Sequence, residues 1–343
     1  MMKGTGICRW LGRVLCLLLC GVMLCLGGCA SIRERKAAAL RLAEQEAVDL
    51  TDEEAMLALA DHRVLVTSDM HYTHLATWYG VSAEDRLQAW VDAILYEHSL
   101  RPFDLIVIAG DTSLDHWEHN GGGSYIKEGV STTKDFMERY VSQLPQDVPI
   151  FVLAGNHEQF GNEKWRELTG NDRQGSMVLG NDLYLFLDSF ADKLDPDYHH
   201  DGVATAPDLA FIRAEMEKYP EHNVYLISHA FAIAKGGPEF AELVSDPRVV
   251  ALFQGHTHRC DVDEMSKAYG GKKLLHTGNF SYTAHSSTRQ AIRESFWGFR
   301  DIVTVGKRSV SRYVVAKSKA TVEGATLLVS RQLQHTEIFD LQN

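Results

Sequence analysis

The amino-acid sequence predicts an α/β fold, in which a central sheet is covered by helices on both sides. Short apolar runs rich in β-branched residues recur from residue 63 onward, and such runs are typical of strands buried on both faces. Helical patterns lie between several of these runs, and strands that alternate with helices indicate an α/β sheet. The chain has 343 residues, 45% of them hydrophobic and 23% charged, so it can bury a large core without disulfide bonds.

The first 28 residues have the features of an export signal. Three basic residues precede the apolar run 14–26, which is short for a membrane span and suits a secretory signal. The run ends in Leu26-Gly27-Gly28-Cys29, which resembles the lipobox of bacterial lipoproteins. That resemblance implies a lipidated Cys29 at the mature N-terminus; the alternatives are ordinary signal cleavage and an uncleaved anchor helix. We therefore expect an exported protein held at a cell-envelope membrane, inner or outer, on its periplasmic or outer-surface side.

Residues 29–60 are predicted to form a helical tether behind the lipidated cysteine. The segment from residue 30 is rich in Ala, Glu and Arg and contains neither Pro nor Gly. Ser31 to Glu34 and Thr51 to Glu54 both match the capping-box pattern, which predicts two helical segments. The segment would act as a spacer, or its second helix would pack on the following domain.

Each of five apolar runs stops abruptly at a cluster of Asp, Asn or His residues. The runs are 64–68 before Asp69 and His71, 105–109 before Asp111, 150–154 before Asn156, His157 and Glu158, 224–228 before His229, and 250–254 before His256 and His258. Ligands of α/β sheets bind at the carboxyl ends of the strands. The five separated segments are therefore expected to meet at one site.

The remaining patterns complete one catalytic domain, expected over residues 61–316. Helices are predicted over Ala83–His98, Thr132–Leu144 and Ala206–Tyr219, and further strands over Leu183–Leu187, Lys273–His276, Asp301–Val305 and Val310–Val315. No internal repeat or interdomain linker is evident in the sequence. Residues 317–343 are expected to be a C-terminal extension made of strands.

The clustered side chains suit a pair of metal ions. Oxygen and imidazole donors without a thiolate favour Mn, Fe or Zn. Seven candidate ligands are too many for one ion and suit two ions that share a carboxylate, for which Asp111 after Gly110 is the natural bridge. Two such ions activate water and stabilise an in-line displacement at phosphorus. His157 is most useful outside the coordination sphere, where it could protonate the leaving oxygen, and Glu158 could orient that imidazole or begin a helix.

The ordered set Asp-x-His, Gly-Asp, Gly-Asn-His-Glu, a lone His and Gly-His-x-His resembles the calcineurin-like metallophosphoesterases. The resemblance implies a β-sandwich of two mixed sheets flanked by helices, in four layers. It implies one metal held by Asp69, His71, Asp111 and His258, and a second held by Asp111, Asn156, His229 and His256. It also implies that His157 is the leaving-group acid of a phosphatase or phosphodiesterase, a hydrolase whose hydroxide nucleophile is activated by the metals.

Other features limit the function without naming a substrate. The net charge is −12, so the chain lacks the basic surface that binding to duplex nucleic acid requires, and this argues against a nuclease. No obligate protein partner is inferred. A monoester, a diester and a lipid pyrophosphate all stay open as substrates, as does a noncatalytic lipoprotein that binds a phosphorylated ligand or uses its metals only to hold the fold. His74 could contact substrate or pack within its loop, and His62 is expected to be solvated.

Overall fold

A computed structural model describes residues 34–78, 81–115, 131–158, 160–190, 202–281, 296–316, 318–322 and 325–342. For residues 78, 81, 318–322 and 325–329 it describes the backbone alone. The predicted signal and lipidation site at Cys29 lie outside the described residues. The chain divides into two compact units, Met1–Leu59 and Ala60–Asn343.

The described part of the first unit is helical. Helix α1 covers residues 34–47 and α2 covers Glu53–Leu59, so both predicted helical segments are present. The Asp52 carboxylate accepts a hydrogen bond from the Ala55 backbone N–H at 3.1 Å, and the Thr51 hydroxyl binds Asp49 instead. The capping box at Thr51 was therefore one residue early. In the part of the chain that the structure describes, no helix has the length and apolar character needed to cross a membrane.

The second unit contains two six-stranded sheets. The first has the order β16-β13-β12-β1-β4-β5, with β1 His62–Thr67, β4 Leu105–Ala109, β5 Ile150–Leu153, β12 Gly298–Val305, β13 Arg308–Val315 and β16 Gln332–Asp340. The second has the order β10-β11-β9-β8-β7-β6, with β6 Gly175–Leu179, β7 Asp182–Leu187, β8 Asn223–Ser228, β9 Val249–Gln254, β10 Val262–Glu264 and β11 Lys273–His276. Two short hairpins pair β2 Thr77–Trp78 with β3 Val81–Ser82, and β14 Ser318–Val322 with β15 Ala325–Val329.

Helices cover the outer faces of this pair of sheets. They are α3 Ala83–Leu100, α4 Thr132–Arg139, α5 Asn162–Thr169, α6 Leu209–Lys218 and α7 Ile233–Ser245. The predicted helix to Leu144 ends at Arg139 and continues as a separate 3-10 turn, Val141–Gln143. Helix α7 was not predicted, because its sequence contains Gly236, Gly237 and Pro238, and Gly237 lies outside the helical region at φ 62°.

The two sheets pack face to face around a shared core. Val64 and Val66 of β1 pack with Tyr184 and Phe186 of the second sheet, while Leu65 between them faces the opposite side. Alternation with a period of two is what a strand requires when each face contacts a different layer. Trp90 of α3 packs with Leu65, and α6 and α7 cover the second sheet in the same way. The predicted sandwich of two mixed sheets flanked by helices is confirmed.

The sheet topology brings the predicted polar clusters to one edge. Strands β1, β4 and β5 are parallel neighbours in the first sheet, and β8 and β9 are parallel neighbours in the second. Their carboxyl ends therefore lie at the same edge of each sheet. At its amino end β1 starts with His62, which is only 5% exposed and lies 3.1 Å from Asp182. The expectation of a solvated His62 was wrong, because the second sheet covers that end of β1.

Candidate metal centre

The turns that follow the strands hold an unusual backbone conformation. Left-handed φ values occur at Asp69 (59°), His71 (46°), Asp111 (51°), His256 (63°) and His258 (55°). Few non-glycine residues adopt this conformation. It costs on the order of 1–3 kcal/mol for each residue and persists only where the surrounding structure enforces it. Five such residues at the ends of three strands indicate that packing, rather than local preference, sets the direction of these side chains.

Two glycines let neighbouring turns approach closely. A Cβ atom on Gly155 would lie 2.1 Å from the Asp111 carboxylate, and one on Gly110 would lie 2.6 Å from the His229 ring. Real Cβ atoms essentially never approach heavy atoms so closely, so these positions require glycine. The predicted role of Gly110, to keep the approach to Asp111 uncrowded, agrees with this geometry.

Asp111 is the centre of the buried cluster. Its Oδ2 atom lies 3.2 Å from His229 Nε2, 3.3 Å from His71 Nε2 and 3.6 Å from His157 Nε2. The carboxylate is 1% exposed and is thus shielded from water. One carboxylate therefore faces imidazoles that come from the ends of β1, β5 and β8.

Two further residues complete the cluster on either side of Asp111. Asp69 Oδ1 lies 3.3 Å from His258 Nε2 and 3.6 Å from His71 Nε2. Asn156 Oδ1 lies 3.1 Å from His229 Nε2 and 2.8 Å from His256 Nδ1. All seven side chains that the sequence singled out as ligands thus meet in space, although they come from five separate segments.

The side chains form three groups, and within each group the donor atoms all lie within 4.8 Å of one another. The first donor group is Asp69, His71 and His258; the second is Asp111, His229 and His256; the third is His71, Asp111 and His157. Each group could hold a metal ion, since imidazole and carboxylate donors at these separations suit Mn, Fe or Zn. His71 and Asp111 belong to more than one group, which is the arrangement that two neighbouring ions require.

The charges of the cluster favour a bound cation. Burial opposes protonation of His71 and His229, yet the carboxylates of Asp111 and Asp69 outweigh it and raise the pKa of each imidazole to about 9. Burial likewise opposes ionisation of Asp69, but the neighbouring histidines keep the pKa of its carboxyl well below the usual range. Without metal the two carboxylates draw protons onto the imidazoles, and with metal the same positive charge can come from the ion.

Comparison with known proteins identifies the family. The model of the calcineurin-like phosphoesterase family matches residues 62–260. The chain belongs to that family. A dimetal phosphatase from Danio rerio has a similar fold, with 13% identity over 80% of this chain and 98% of its own and a TM-score of 0.53. The protein GAP50, described as the anchor in the inner membrane complex of Plasmodium, is 12% identical over 82% of this chain and 89% of its own, with a TM-score of 0.50. A search of curated protein sequences found no match.

Glu158 of the phosphoesterase domain supports the turns rather than starting a helix. Its Oε2 atom accepts hydrogen bonds from the backbone N–H groups of Asp111 at 3.0 Å and Gly155 at 2.8 Å. Its Oε1 atom accepts from the Ser113 backbone N–H at 2.7 Å and the Thr112 hydroxyl at 3.0 Å. Burial and the charge of Asp111 raise the pKa of this carboxyl to about 7. Of the two alternatives for Glu158, the helix start was wrong, since α5 begins at Asn162.

Other contacts orient individual members of the phosphoesterase site. His229 Nδ1 lies 2.8 Å from the Ala109 carbonyl, to which it donates a hydrogen bond, so its Nε2 atom faces Asp111. The Arg86 guanidinium is buried, donates to the carbonyls of Met70 and Phe280, and thereby holds the turn after β1. Neither Arg86 nor Ala109 carries a sequence signal of this role, because the contacts join residues that are far apart in the chain.

His74 lies beside helix α4. Its Nε2 atom is 3.2 Å from Asp135 Oδ2, and the Tyr72 hydroxyl donates to the same carboxylate at 2.5 Å. These contacts favour loop packing over substrate contact for His74. At the start of the same helix, the Asp115 carboxylate accepts a hydrogen bond from the Thr133 backbone N–H at 2.9 Å.

Proposed function

We propose that this protein is a metal-dependent phosphoesterase with two metal ions, acting on a phosphomonoester or a phosphodiester. The observation that carries the proposal is Asp111, whose single carboxylate is shared between the donor groups. Family membership supports hydrolysis of a phosphoric ester, and the dimetal phosphatase from Danio rerio shares the fold. The acidic chain makes duplex nucleic acid a poor candidate substrate.

The donor groups support the following assignment of ligands. Asp69, His71, Asp111 and His258 would hold one metal, and Asp111, Asn156, His229 and His256 would hold the other. When bound, two ions of Mn, Fe or Zn would lower the pKa of water and hold the phosphoryl oxygens. Six of the seven proposed ligands are buried, and His256 is exposed. The chain would therefore hold the ions in a largely buried site that is open to solvent at His256.

His157 is the proposed proton donor to the leaving oxygen. Its backbone N–H donates to Asp111 Oδ1 at 3.1 Å, which fixes the turn that carries the imidazole. Its Nε2 atom is 3.6 Å from Asp111 Oδ2, and His157 belongs to one donor group, whereas Asp111 belongs to two. Because a leaving alkoxide must take a proton, an imidazole at that position would lower the barrier of the bond-breaking step.

The test uses the chain from residue 30, freed of metal with a chelator and reloaded with Mn²⁺. Hydrolysis of a chromogenic phosphate monoester is compared with that of the matching diester. The proposal predicts turnover of one ester that disappears with chelator and returns with Mn²⁺. A protein that binds two ions and hydrolyses neither ester would favour the noncatalytic alternative described next.

The alternative is a lipoprotein that binds a phosphorylated ligand through its metals without hydrolysis. The fold by itself does not decide between the two functions, since it is shared with a protein described as a dimetal phosphatase and with one described as an anchor. The two functions differ at His157, since ligand binding does not need a proton donor. Phosphate affinity that depends on Mn²⁺, without turnover of any phosphate ester, would establish this alternative.

We further propose that the protein is exported and anchored to a membrane through lipid on Cys29. The apolar run 14–26 and the Leu-Gly-Gly-Cys sequence support it. Expressed in a bacterium with labelled palmitate, the wild-type chain should carry label and sediment with membranes. Cys29→Ala should lose the label; equal labelling of the variant would contradict lipidation at this residue.

A further inference from the structure

A chain of hydrogen-bonded side chains starts at Thr257, in the segment that joins the two proposed metal sites. The Thr257 hydroxyl is 2.8 Å from His276 Nδ1, and His276 Nε2 is 3.0 Å from Asp263 Oδ2. Arg259 then donates to both oxygens of Asp263, at 2.8 and 2.7 Å. None of these four residues belongs to the three donor groups.

The chemistry of the chain sets the direction of each hydrogen bond. Asp263 is paired with Arg259, and the hydrogen bonds from Arg259 hold the pKa of its carboxyl well below the usual range. An ionised carboxylate only accepts, so His276 Nε2 carries the hydrogen and donates to Asp263. The other ring nitrogen, Nδ1, is then an acceptor, because burial lowers the pKa of His276 and keeps the ring neutral. Thr257 therefore donates its hydroxyl hydrogen to His276, which leaves one orientation of the threonine side chain.

The topology of the second sheet explains why His276 lies close to Thr257. It is the last residue of β11, which runs parallel to β9, and it pairs in register with Gln254 at the end of β9. The segment 255–258 leaves β9 at this point, so a side chain on the neighbouring strand end can reach it. His276 is 1% exposed and the strand β10, which supplies Asp263, lies on the other side of β11.

Thr257 occupies the position from which one contact can act on both metal sites. It lies between His256, a member of the second donor group, and His258, a member of the first. Both neighbours have left-handed φ values, 63° and 55°. Such a conformation needs support from its surroundings. The His256 backbone N–H donates to Asp69 at 2.9 Å, and the hydrogen bond from Thr257 to buried His276 acts between the two left-handed residues.

We propose that Thr257, His276, Asp263 and Arg259 form a positioning relay that fixes the orientation of His256 and His258 together and so tunes both metal sites at once. The proposal rests on the proposed dinuclear function. The relay residues are positioning residues, since they act through the two histidines. The sequence predicted the strand Lys273–His276, which ends in a histidine at the edge where the other polar clusters lie. No motif, however, marks His276 as part of the site.

The experiment measures Mn²⁺ affinity and turnover of the full chain and three variants. Thr257→Val keeps the shape of the side chain and removes the hydroxyl, Thr257→Ser restores the hydroxyl, and Asp263→Asn removes the charge that orients His276. Loss of an outer partner typically costs a metal site about 10–100-fold in affinity. We expect Thr257→Val and Asp263→Asn to weaken both Mn²⁺ ions by about tenfold and to lower kcat, and Thr257→Ser to match the wild type.

His62→Gln provides the matched control. His62 is a buried histidine 3.1 Å from a carboxylate, as His276 is, but it lies at the amino end of β1, away from the strand ends that carry the site. It should lower the melting temperature without changing Mn²⁺ affinity. Thr257→Val with wild-type Mn²⁺ affinity and kcat would overturn the relay, and so would weakening of one ion alone. A wild-type chain that binds two Mn²⁺ ions and hydrolyses no ester would refute the proposed phosphoesterase activity. The Mn²⁺ affinities of the variants would still decide whether the relay exists. A wild-type chain that binds no Mn²⁺ would overturn both the proposed activity and the relay.

Discussion

Asp111 carries more of the proposed function than any other residue, since its carboxylate faces three imidazoles. Asp111→Asn keeps the Oδ1 acceptor for the His157 N–H and removes the negative charge. We expect Mn²⁺ affinity to fall by at least about 10-fold and turnover to disappear, while the metal-free variant still folds. Turnover, Mn²⁺ titration and circular dichroism together measure this. A variant that cannot fold would instead indicate that the metals serve only to hold the structure.

His157 differs from the other histidines because its proposed role is proton transfer. His157→Ala should lower kcat by about 10²–10⁴-fold, the usual contribution of a general acid. The loss should be greater for an alkyl phosphate than for a nitrophenyl phosphate, since a nitrophenolate leaves without a proton. Both activities should be measured with Mn²⁺ saturating. Unchanged hydrolysis of the alkyl ester would rule out the acid role.

At the scale of secondary-structure elements, the ends of β4 and β5 touch through their turns. Gly155→Ala would place a methyl group 2.1 Å from Asp111 Oδ1, so the carboxylate or the turn has to move. We expect loss of Mn²⁺ binding and turnover. Gly161→Ala is the control, because nothing lies within 4 Å of its Cβ position, and it should cost less than about 1 kcal/mol as a change of helix cap. Equal activity of the two variants would show that the turns do not depend on this close contact.

The elements also show where sequence patterns succeed and where they fail. Strand β11 was predicted with its observed bounds, Lys273–His276, because an apolar run between polar residues is a local signal. Helix α7 was missed, because Gly237 and Pro238 are unfavourable in helices and interrupt the helical pattern of the sequence. Packing of Phe240 and Val244 on the second sheet stabilises the helix. Tertiary contacts outweigh propensity in such a case.

At the scale of the whole molecule, burial of two carboxylates among histidines makes stability depend on pH and metal together. Without metal, the carboxylates of Asp111 and Asp69 outweigh burial and raise the pKa of His71 and His229 from the ordinary 6.5 to about 9. A raised histidine pKa gives stability that is complete below pH 6.5 and is lost as the pH rises towards 9. Metal ions replace these protons, so the ions bind more tightly as the pH rises through the same window.

The stabilisation by Mn²⁺ should therefore grow with pH. We expect the rise in melting temperature caused by Mn²⁺ to be larger at about pH 8.5 than at about pH 6.5. In chelator, the melting temperature should fall over the same interval. Thermal unfolding with and without Mn²⁺ at several pH values measures both trends. A rise that is independent of pH would mean that His71 and His229 hold no protons in the metal-free fold.

The sequence by itself determined the fold class and the seven candidate ligands, because both depend on local patterns. Apolar runs mark the buried strands, and the polar residues that end them mark the edge of the sheets. Only the tertiary structure decided which other residues support the site. The support from Glu158 and Arg86, the burial of His62 and the hydrogen bond between Thr257 and His276 all join residues far apart in the chain. Such contacts depend on how two sheets pack and pair, and no local pattern records that.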